Sequence, residues 1–172
     1  MRSTMLVMAM LLAVVELAAD DRSVTFDKGT DFALLTTFLV RDVRVTSSRP
    51  ELDNALFAMQ VHDAIRDALT AKGLKETATR PQLVVDSTVT GMDYSVGPAG
   101  RANPIPPGRA APSFAPVSFT EGTLVIDVKT ADSGKLVWHG VYRRPKDTAG
   151  KLAEKLPGDA KKLLSEFPPK KK

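Results

Sequence analysis

The segment from Gly122 to Gly140 constrains the fold of this 172-residue chain more than any other. It reads GTLVIDVKTADSGKLVWHG, in which two apolar runs rich in β-branched residues flank a polar turn with Asp132, Ser133 and Gly134. Such runs around a short polar turn are typical of an antiparallel β-hairpin. The hairpin needs helices or a second sheet to cover its apolar side, but it carries no arrangement of residues that performs chemistry.

Three further strands are predicted before the hairpin. A short strand is expected at 24–26 and a longer one at 36–40, with Phe32 tucked under the fold in the loop between them. Pro81 marks the boundary before a new element. The run at 83–90 is rich in Val and Thr, which favours another strand. We expect this last strand to pair with the hairpin.

Two helices are predicted from apolar residues that recur at three- and four-residue spacing. The segment 48–51, SRPE, fits a capping box and predicts that the first helix occupies 49–72, with Gly73 as a left-handed cap. The second helix is expected at 157–167, starting near a proline and stopped by another. Residues 147–155 are interpreted as a separate helical turn before it.

Together these elements predict a single α+β domain over residues 20–168, with both helices on one face of a mainly antiparallel sheet of four or five strands. Gly140 leaves room for a helix to approach that face. The hairpin positions expected in the core are Leu124, Ile126, Val128, Leu136, Trp138 and Tyr142.

The first residues indicate export. Arg2 precedes an apolar run at 5–15, and the small residues Ala18 and Ala19 follow, which is the outline of a signal peptide at 1–19. The run is about half the ~20 residues that a membrane span needs, and no other run is longer. The sequence therefore predicts a periplasmic protein that is soluble after signal cleavage.

Cysteine is absent from the chain, which excludes disulfides and a lipid anchor attached through cysteine. The formal charge of +4 originates in residues 145–172, which hold 8 basic and 4 acidic groups. We interpret the end at 169–172 as a basic solubilising tail. No basic patch interleaved with aromatic residues predicts a nucleic-acid partner.

The segment 95–117 contains six of the twelve prolines and three glycines. Such a composition excludes a regular helix or strand. A loop of this length is usually functional or disordered.

No motif predicts catalysis. His62 lies on the polar face of the first predicted helix and His139 on a strand, and nothing in the spacing brings them together as metal ligands. Asp86 and Asp127 would be neighbours only if their strands pair in one particular register. Since nucleophile elbows and phosphate-binding glycine loops are also missing, the sequence predicts no catalytic, cofactor-binding or metal-binding residues, and no cofactor.

The sheet face that the helices leave uncovered is the predicted functional surface, hereafter the open face. The alternative is that the 95–117 segment folds over it. Trp138 and Tyr142 share a strand face and could stack on a sugar or base, but we interpret them as core. The open face is expected to hold Val84, Asp86, Thr88, Val125, Asp127, Val137, His139 and Val141.

The order of these features resembles a bacterial envelope family, often found in lipoproteins and known as domain of unknown function 4136. The hairpin is the specific part of the resemblance, which covers nearly all of the chain after the signal peptide. The matching features are Asp31-Phe32, Thr37-Phe38, the helix with Val61, Ala64-Ile65, Leu69 and Lys72-Gly73, the strand Leu83-Val84-Val85, the Gly122 to Gly140 block, and Phe167-Pro168.

The resemblance implies a small α+β domain in the bacterial periplasm or envelope, without an established activity. The chain departs from the family pattern in lacking the lipid-bearing cysteine and in carrying Pro157 where a continuous final helix is expected. We expect a non-catalytic envelope protein that binds a protein or an envelope polymer through the open face and the 95–117 segment. The alternatives are a hydrolase acting on envelope material, with its site in the 95–117 segment and around His139, and a carrier of a small ligand.

Overall fold

The structure of the chain is a computed structural model that describes residues 21–96 and 117–168. The predicted signal peptide, most of the 95–117 segment and the tail at 169–172 lie outside the described residues. Within the described ranges, no helix is both long enough and apolar enough to cross a membrane.

Seven described strands form one mixed sheet in the spatial order β1-β7-β6-β5-β2-β4, and β3 also pairs with β5. The pairs β1–β7, β7–β6 and β6–β5 are antiparallel, whereas β2 and β3 run parallel to β5. The strands are β1 Asp21–Phe26, β2 Thr37–Val40, β3 Arg44–Ser47, β4 Lys75–Glu76, β5 Leu83–Val96, β6 Val117–Thr130 and β7 Leu136–Asp147.

The α+β class is confirmed, but the prediction of a mainly antiparallel sheet of four or five strands is wrong. A helix lies between β2 and β5 in the chain, and a crossover of this kind returns the chain parallel to the strand it left. Sequence patterns missed β3 and β4 because they have four and two residues, too few to show an alternation. The predicted pairing of the hairpin with β5 is confirmed along its full length.

The first helix, α1, spans Ala55–Thr70 and begins six residues later than predicted. Its cap is Asn54, whose Oδ1 accepts from the backbone N–H of Phe57 at 2.8 Å. The predicted capping box is wrong because the Ser48 hydroxyl donates instead to Asp93 on β5, at 3.3 Å. Gly73 has a φ of 88°, which confirms the left-handed conformation after the helix.

The second helix, α2, spans Ala149–Leu164, so the predicted start near Pro157 and the separate turn at 147–155 are wrong. Both segments belong to one helix that contains Pro157. An interior proline costs about 3 kcal/mol. Leu152 before the proline and Leu163 after it are both fully buried, and each contributes about 1.5–3 kcal/mol, so their burial offsets that cost.

The core lies between the sheet and the two helices. Five of the six predicted hairpin positions are fully buried, and the exception is Leu136, which is 46% exposed at the start of β7. Trp138 packs edge to face with Phe167 with ring centroids 5.8 Å apart, and Phe32 also packs edge to face with Phe167, at 5.5 Å. Phe32 therefore lies under the fold as predicted.

Gly140 allows α2 to approach the sheet, as predicted. A Cβ atom at this position would overlap the Trp138 ring and lie 2.9 Å from Cγ of Leu163 on α2. Close packing of strand, indole ring and helix thus requires a residue without a side chain here.

A buried ion pair also joins β7 to α2. Arg144 donates through Nε and Nη2 to the two carboxylate oxygens of Asp159, with an Nη2–Oδ1 distance of 2.7 Å. The Asp159 side chain is only 1% exposed. Charge of this kind is tolerated in a core only where it is paired with good geometry.

Candidate binding surface

The open face is formed by the side chains that alternate with the core positions along β5, β6 and β7. The strand register brings Asp86, Asp127 and His139 into one row, because Asp86 lies opposite Asp127 and Asp127 lies opposite His139. Thr25 on β1 continues the row opposite His139. The register that the sequence left open is therefore the one that makes Asp86 and Asp127 neighbours.

His139 and Asp127 form a hydrogen-bonded pair in the middle of this row. The distance from His139 Nδ1 to Asp127 Oδ1 is 2.6 Å, and both side chains are about one third exposed. A carboxylate on Nδ1 orients an imidazole and leaves its Nε2 available to solvent or a ligand. Sequence reasoning missed this pair because the two residues are twelve positions apart on different strands.

Asp86, the other carboxylate of the row, has partners of its own. Lys129 Nζ lies 2.9 Å from Asp86 Oδ2, and Arg41 Nη1 lies 3.4 Å from Oδ1. Burial raises the pKa of Asp86, but the hydrogen bond from Lys129 and the charges of Lys129, Arg41 and Arg44 outweigh it, so the net pKa is lowered. Because each acid in the row has a basic partner, Asp86 and Asp127 can occupy opposite positions on neighbouring strands.

The next rows of the open face carry β-branched and hydroxyl side chains. Thr88 lies opposite Val125, and Val125 lies opposite Val141, in the register of the three longest strands. All three are half-buried, as are Thr90 and Thr123 in the following row. Val84 and Val137, which the sequence also assigned to this face, are buried. The result is a surface of short side chains without an aromatic residue in its central rows.

Beyond Gly91 and Gly122, β5 and β6 continue as a paired ribbon, residues 92–96 and 117–121, which we call the arm; β7 still pairs with it at one position, Thr120–Asp147. Met92 and Tyr94 are 54% and 39% exposed on the same side as the open face. Tyr94 stacks on Phe119 of the opposite strand, with centroids 5.5 Å apart and an interplanar angle of 19°. The arm thus presents large apolar side chains that the centre of the face lacks.

Asp93 fixes the arm to the rest of the fold from the opposite side. Its carboxylate accepts from Arg49 Nε at 2.9 Å, from the Thr120 hydroxyl at 2.8 Å and from Ser48. The hydrogen bonds from Arg49 and Thr120 lower the pKa of Asp93. The bonds from Ser48 and Arg49 connect the arm to the segment that leads into α1, and the bond from Thr120 joins its two strands.

The two histidines are not brought together. His62 on α1 lies on the helical side of the sheet, with its Nδ1 3.6 Å from Asp63, whereas His139 lies on the open face. Within the described residues, no group of three or more His, Asp or Glu side chains is arranged to hold a metal ion. Trp138 and Tyr142 have no exposed surface, so neither forms a stacking platform and the core interpretation is confirmed.

A groove of about 590 Å³ lies between α1 and α2, on the far side of the helices from the sheet. Small residues, Ala64 and Gly158 among them, line it together with the acidic residues Asp63, Asp67 and Glu154. Asp63 and Asp67 are paired with Arg66, and Lys161 also approaches Asp67. Two of the three acids in the groove, Asp63 and Asp67, are therefore already paired with neighbouring bases.

The family model described as "Domain of unknown function (DUF4136)" matches residues 22–169. This match confirms the resemblance drawn from the hairpin and the flanking elements. No curated protein matches the sequence significantly.

Among solved structures, a PDZ domain protein from Parabacteroides distasonis is similar over 89% of this chain, with a TM-score of 0.58 and 13% identity. The chain spans only 36% of that protein. The PelC dodecamer from Paraburkholderia phytofirmans matches 83% of this chain and 96% of its own, with a TM-score of 0.50 and 14% identity. A DUF4136 family protein from Bacteroides thetaiotaomicron matches 82% of this chain and 93% of its own, at 18% identity and a TM-score of 0.47.

Proposed function

This chain belongs to the DUF4136 family, and we propose that it is a non-catalytic, exported envelope protein that binds another protein through the open face. Export rests on the signal peptide predicted at residues 1–19. The observation that supports binding is a patch on the open face. Half-buried Thr88, Val125 and Val141 lie side by side on neighbouring strands there, beside the pairs Asp86–Lys129 and Asp127–His139.

A protein partner fits this surface better than a charged polymer. Lys129 is paired with Asp86, and Asp127 adds a second carboxylate beside His139, so the centre of the face offers little positive charge to a polyanion. A polysaccharide is usually held by aromatic stacking, and the central rows have no aromatic side chain. An apolar centre bordered by polar side chains is the general arrangement of a protein interface. The participation of the 95–117 segment stays a prediction.

The proposal is tested by placing a photo-crosslinking amino acid at Thr88 or Val141 in the full chain, in intact cells. Gln60, exposed on α1 on the other side of the molecule, is the matched control position. We expect one and the same protein to be captured at Thr88 and Val141 but not at Gln60. The purified partner should then bind Val125→Arg at least tenfold more weakly, while the urea midpoint of this variant shows that it is folded.

Capture of a saccharide, or equal capture at Gln60, would contradict the proposal. Absence of any adduct at the two open-face positions would contradict it as well.

A hydrolase is the second candidate, and the His139–Asp127 pair is the observation that favours it. Thr25 lies opposite His139 in the register, so a hydroxyl, an imidazole and a carboxylate occur in sequence across three strands. This order matches the roles of nucleophile, base and orienting acid. Turnover of a cell-wall or lipid substrate that His139→Ala abolishes, in a variant with an unchanged urea midpoint, would favour this function over binding.

A further inference from the structure

The outer edge of the arm is a strand edge without a neighbouring strand among the described residues. The β3 ladder on β5 ends at the pair Ser47–Gly91, whereas β5 continues to Val96. Arg41 N–H donates to the Val85 carbonyl at 2.9 Å, so the backbone groups of odd-numbered β5 residues point to the β2 and β3 side. By this alternation the N–H and C=O groups of Asp93 and Ser95 point to the free edge.

Three other edges of the described sheet carry features that discourage pairing. β4 consists of Lys75 and Glu76, and β1 begins with Asp21 and Arg22. The last part of β7 contains Pro145 and then Lys146, which has a φ of 59°. Charge, proline and irregular backbone are common means of preventing strand addition.

The arm lacks these protections. Residues 92–96 include no proline and no lysine, and the single charge, on Asp93, is paired with Arg49 at 2.9 Å. Tyr94 and Met92 add exposed apolar area beside the edge. An extended edge with these properties is a template for another strand.

We propose that this edge binds a second copy of the chain, with the two β5 arms antiparallel about a two-fold axis at Tyr94. In this register Asp93 of one copy lies opposite Ser95 of the other. Both residues have outward-facing backbone groups, so the two symmetric pairs form four hydrogen bonds. The interface is isologous and closes as a dimer.

Side-chain chemistry selects this register. Tyr94 meets Tyr94 of the second copy at a non-hydrogen-bonded position, where facing side chains are closest. Because each Tyr94 already stacks on Phe119, the pairing extends two stacked rings to four. A two-fold axis at Asp93 would instead place two carboxylates opposite each other, which is unfavourable.

Pairing in this way would join two sheets into one, with both open faces on the same side. The inference goes beyond the proposed binding function and is independent of it, since the edge of the arm and the open face are different surfaces. The contact is small, and small interfaces are weak and transient. The experiments therefore use high protein concentrations.

Cysteine crosslinking gives the direct test, because the natural chain contains no cysteine. Tyr94→Cys places two thiols across the proposed axis, at a Cα separation of about 4.5 Å that a disulfide can span. Phe119→Cys is the matched control on the other strand of the same arm. We expect mild oxidation to convert Tyr94→Cys to a covalent dimer at least tenfold faster than Phe119→Cys.

Proline substitution tests the backbone pairing without changing Tyr94. Ser95 and Ser118 face each other across the arm at a non-hydrogen-bonded position, so the N–H of each points away from the partner strand. Ser95→Pro removes the N–H on the proposed interface, and Ser118→Pro removes one on the opposite edge. We expect Ser95→Pro to weaken dimerisation at least tenfold in sedimentation equilibrium, and Ser118→Pro to leave it unchanged.

A wild-type chain that stays monomeric at millimolar concentration would overturn the inference. So would equal crosslinking of the two cysteine variants, or equal loss of dimer in the two proline variants, because random collision or damage to the arm would then explain the result. Dimerisation that persists in Ser95→Pro would assign the contact to another surface, such as the β1 edge, and would also overturn it.

Discussion

The two faces of this sheet are built from alternate residues of the same strands, but one face is covered by helices and the other is in contact with solvent. On the helix-covered face, Ile126 and Trp138 are fully buried and Gly140 admits the helix. On the open face, their neighbours Val125 and His139 stay half-buried. Hydrogen-bonded side-chain pairs follow the same division, since Arg144–Asp159 is enclosed and Asp127–His139 is in contact with solvent. A similar contact therefore has a different energetic role on each face.

The largest effect is expected when the acid of the enclosed pair, on the helix-covered face, is removed. Asp159→Ala leaves the Arg144 guanidinium, 16% exposed, without its carboxylate, and we expect a loss of about 3–5 kcal/mol in the free energy of unfolding. Asp127→Ala is the matched control, with an expected loss below about 1 kcal/mol because its partner can be solvated. Urea unfolding followed by circular dichroism measures both.

Similar losses for Asp159→Ala and Asp127→Ala would contradict the difference between the faces. It would mean that water reaches the Arg144 pair as easily as it reaches His139.

An intermediate effect is expected from two glycine-to-alanine substitutions. Gly140→Ala forces a methyl group against Trp138 and Leu163, and we expect a loss of about 1–3 kcal/mol from overpacking. Gly150→Ala, in the first turn of α2 with open space around it, should instead stabilise by up to about 1 kcal/mol. Thermal melting distinguishes the opposite signs.

If Gly140→Ala proved as stable as wild type, the close packing of α2 on β7 would be wrong. A destabilising Gly150→Ala would indicate a contact that the open space around this residue does not show.

The smallest effect concerns pH and the exposed carboxylates. Asp27 accepts from Lys135, Thr30 and Gly29, and these hydrogen bonds lower its pKa to about 2. The pKa of Asp86 is also lowered. A carboxylate with a lowered folded-state pKa contributes its stability above the unfolded value of about 3.9 and loses it as the pH falls towards the folded value. We therefore expect urea midpoints to fall between about pH 5 and pH 2, and to fall less in Asp27→Asn.

A midpoint that rises on acidification would reverse the expected sign. An Asp27→Asn variant with the same slope as wild type would exclude the Lys135 contact as a source of the pH dependence.

Local patterns were sufficient to predict the hairpin, because alternation in β6 and β7 records which side each residue faces. They placed Trp138 and Ile126 in the core and Asp127 and His139 on the open face. Local patterns failed where a distant residue decides the structure. Ser48 has the sequence context of a helix cap, but its hydroxyl bonds to Asp93, 45 positions away, and Asn54 caps the helix.

The candidate site was predictable as a face but not as a set of contacts. Alternation assigned Asp86 and Asp127 to the same side, and only the β5–β6 register made them opposite neighbours. The arm was missed because the predicted strand ended at residue 90, whereas β5 extends to Val96. Pro157 misled the prediction of α2, since burial of apolar residues on both sides of it outweighs the local helix propensity.

The position of β1 affects the order in which the strands of the sheet form during folding. Its six residues, at the start of the described chain, pair as a strand with β7, more than a hundred residues later in the sequence. β2 and β3 likewise pair with β5, and β2 also with β4, and both of these strands follow α1. During synthesis the early strands must therefore remain without partners until late segments emerge. Contacts this distant slow folding, so the hairpin is expected to form first and the N-terminal strands to attach last.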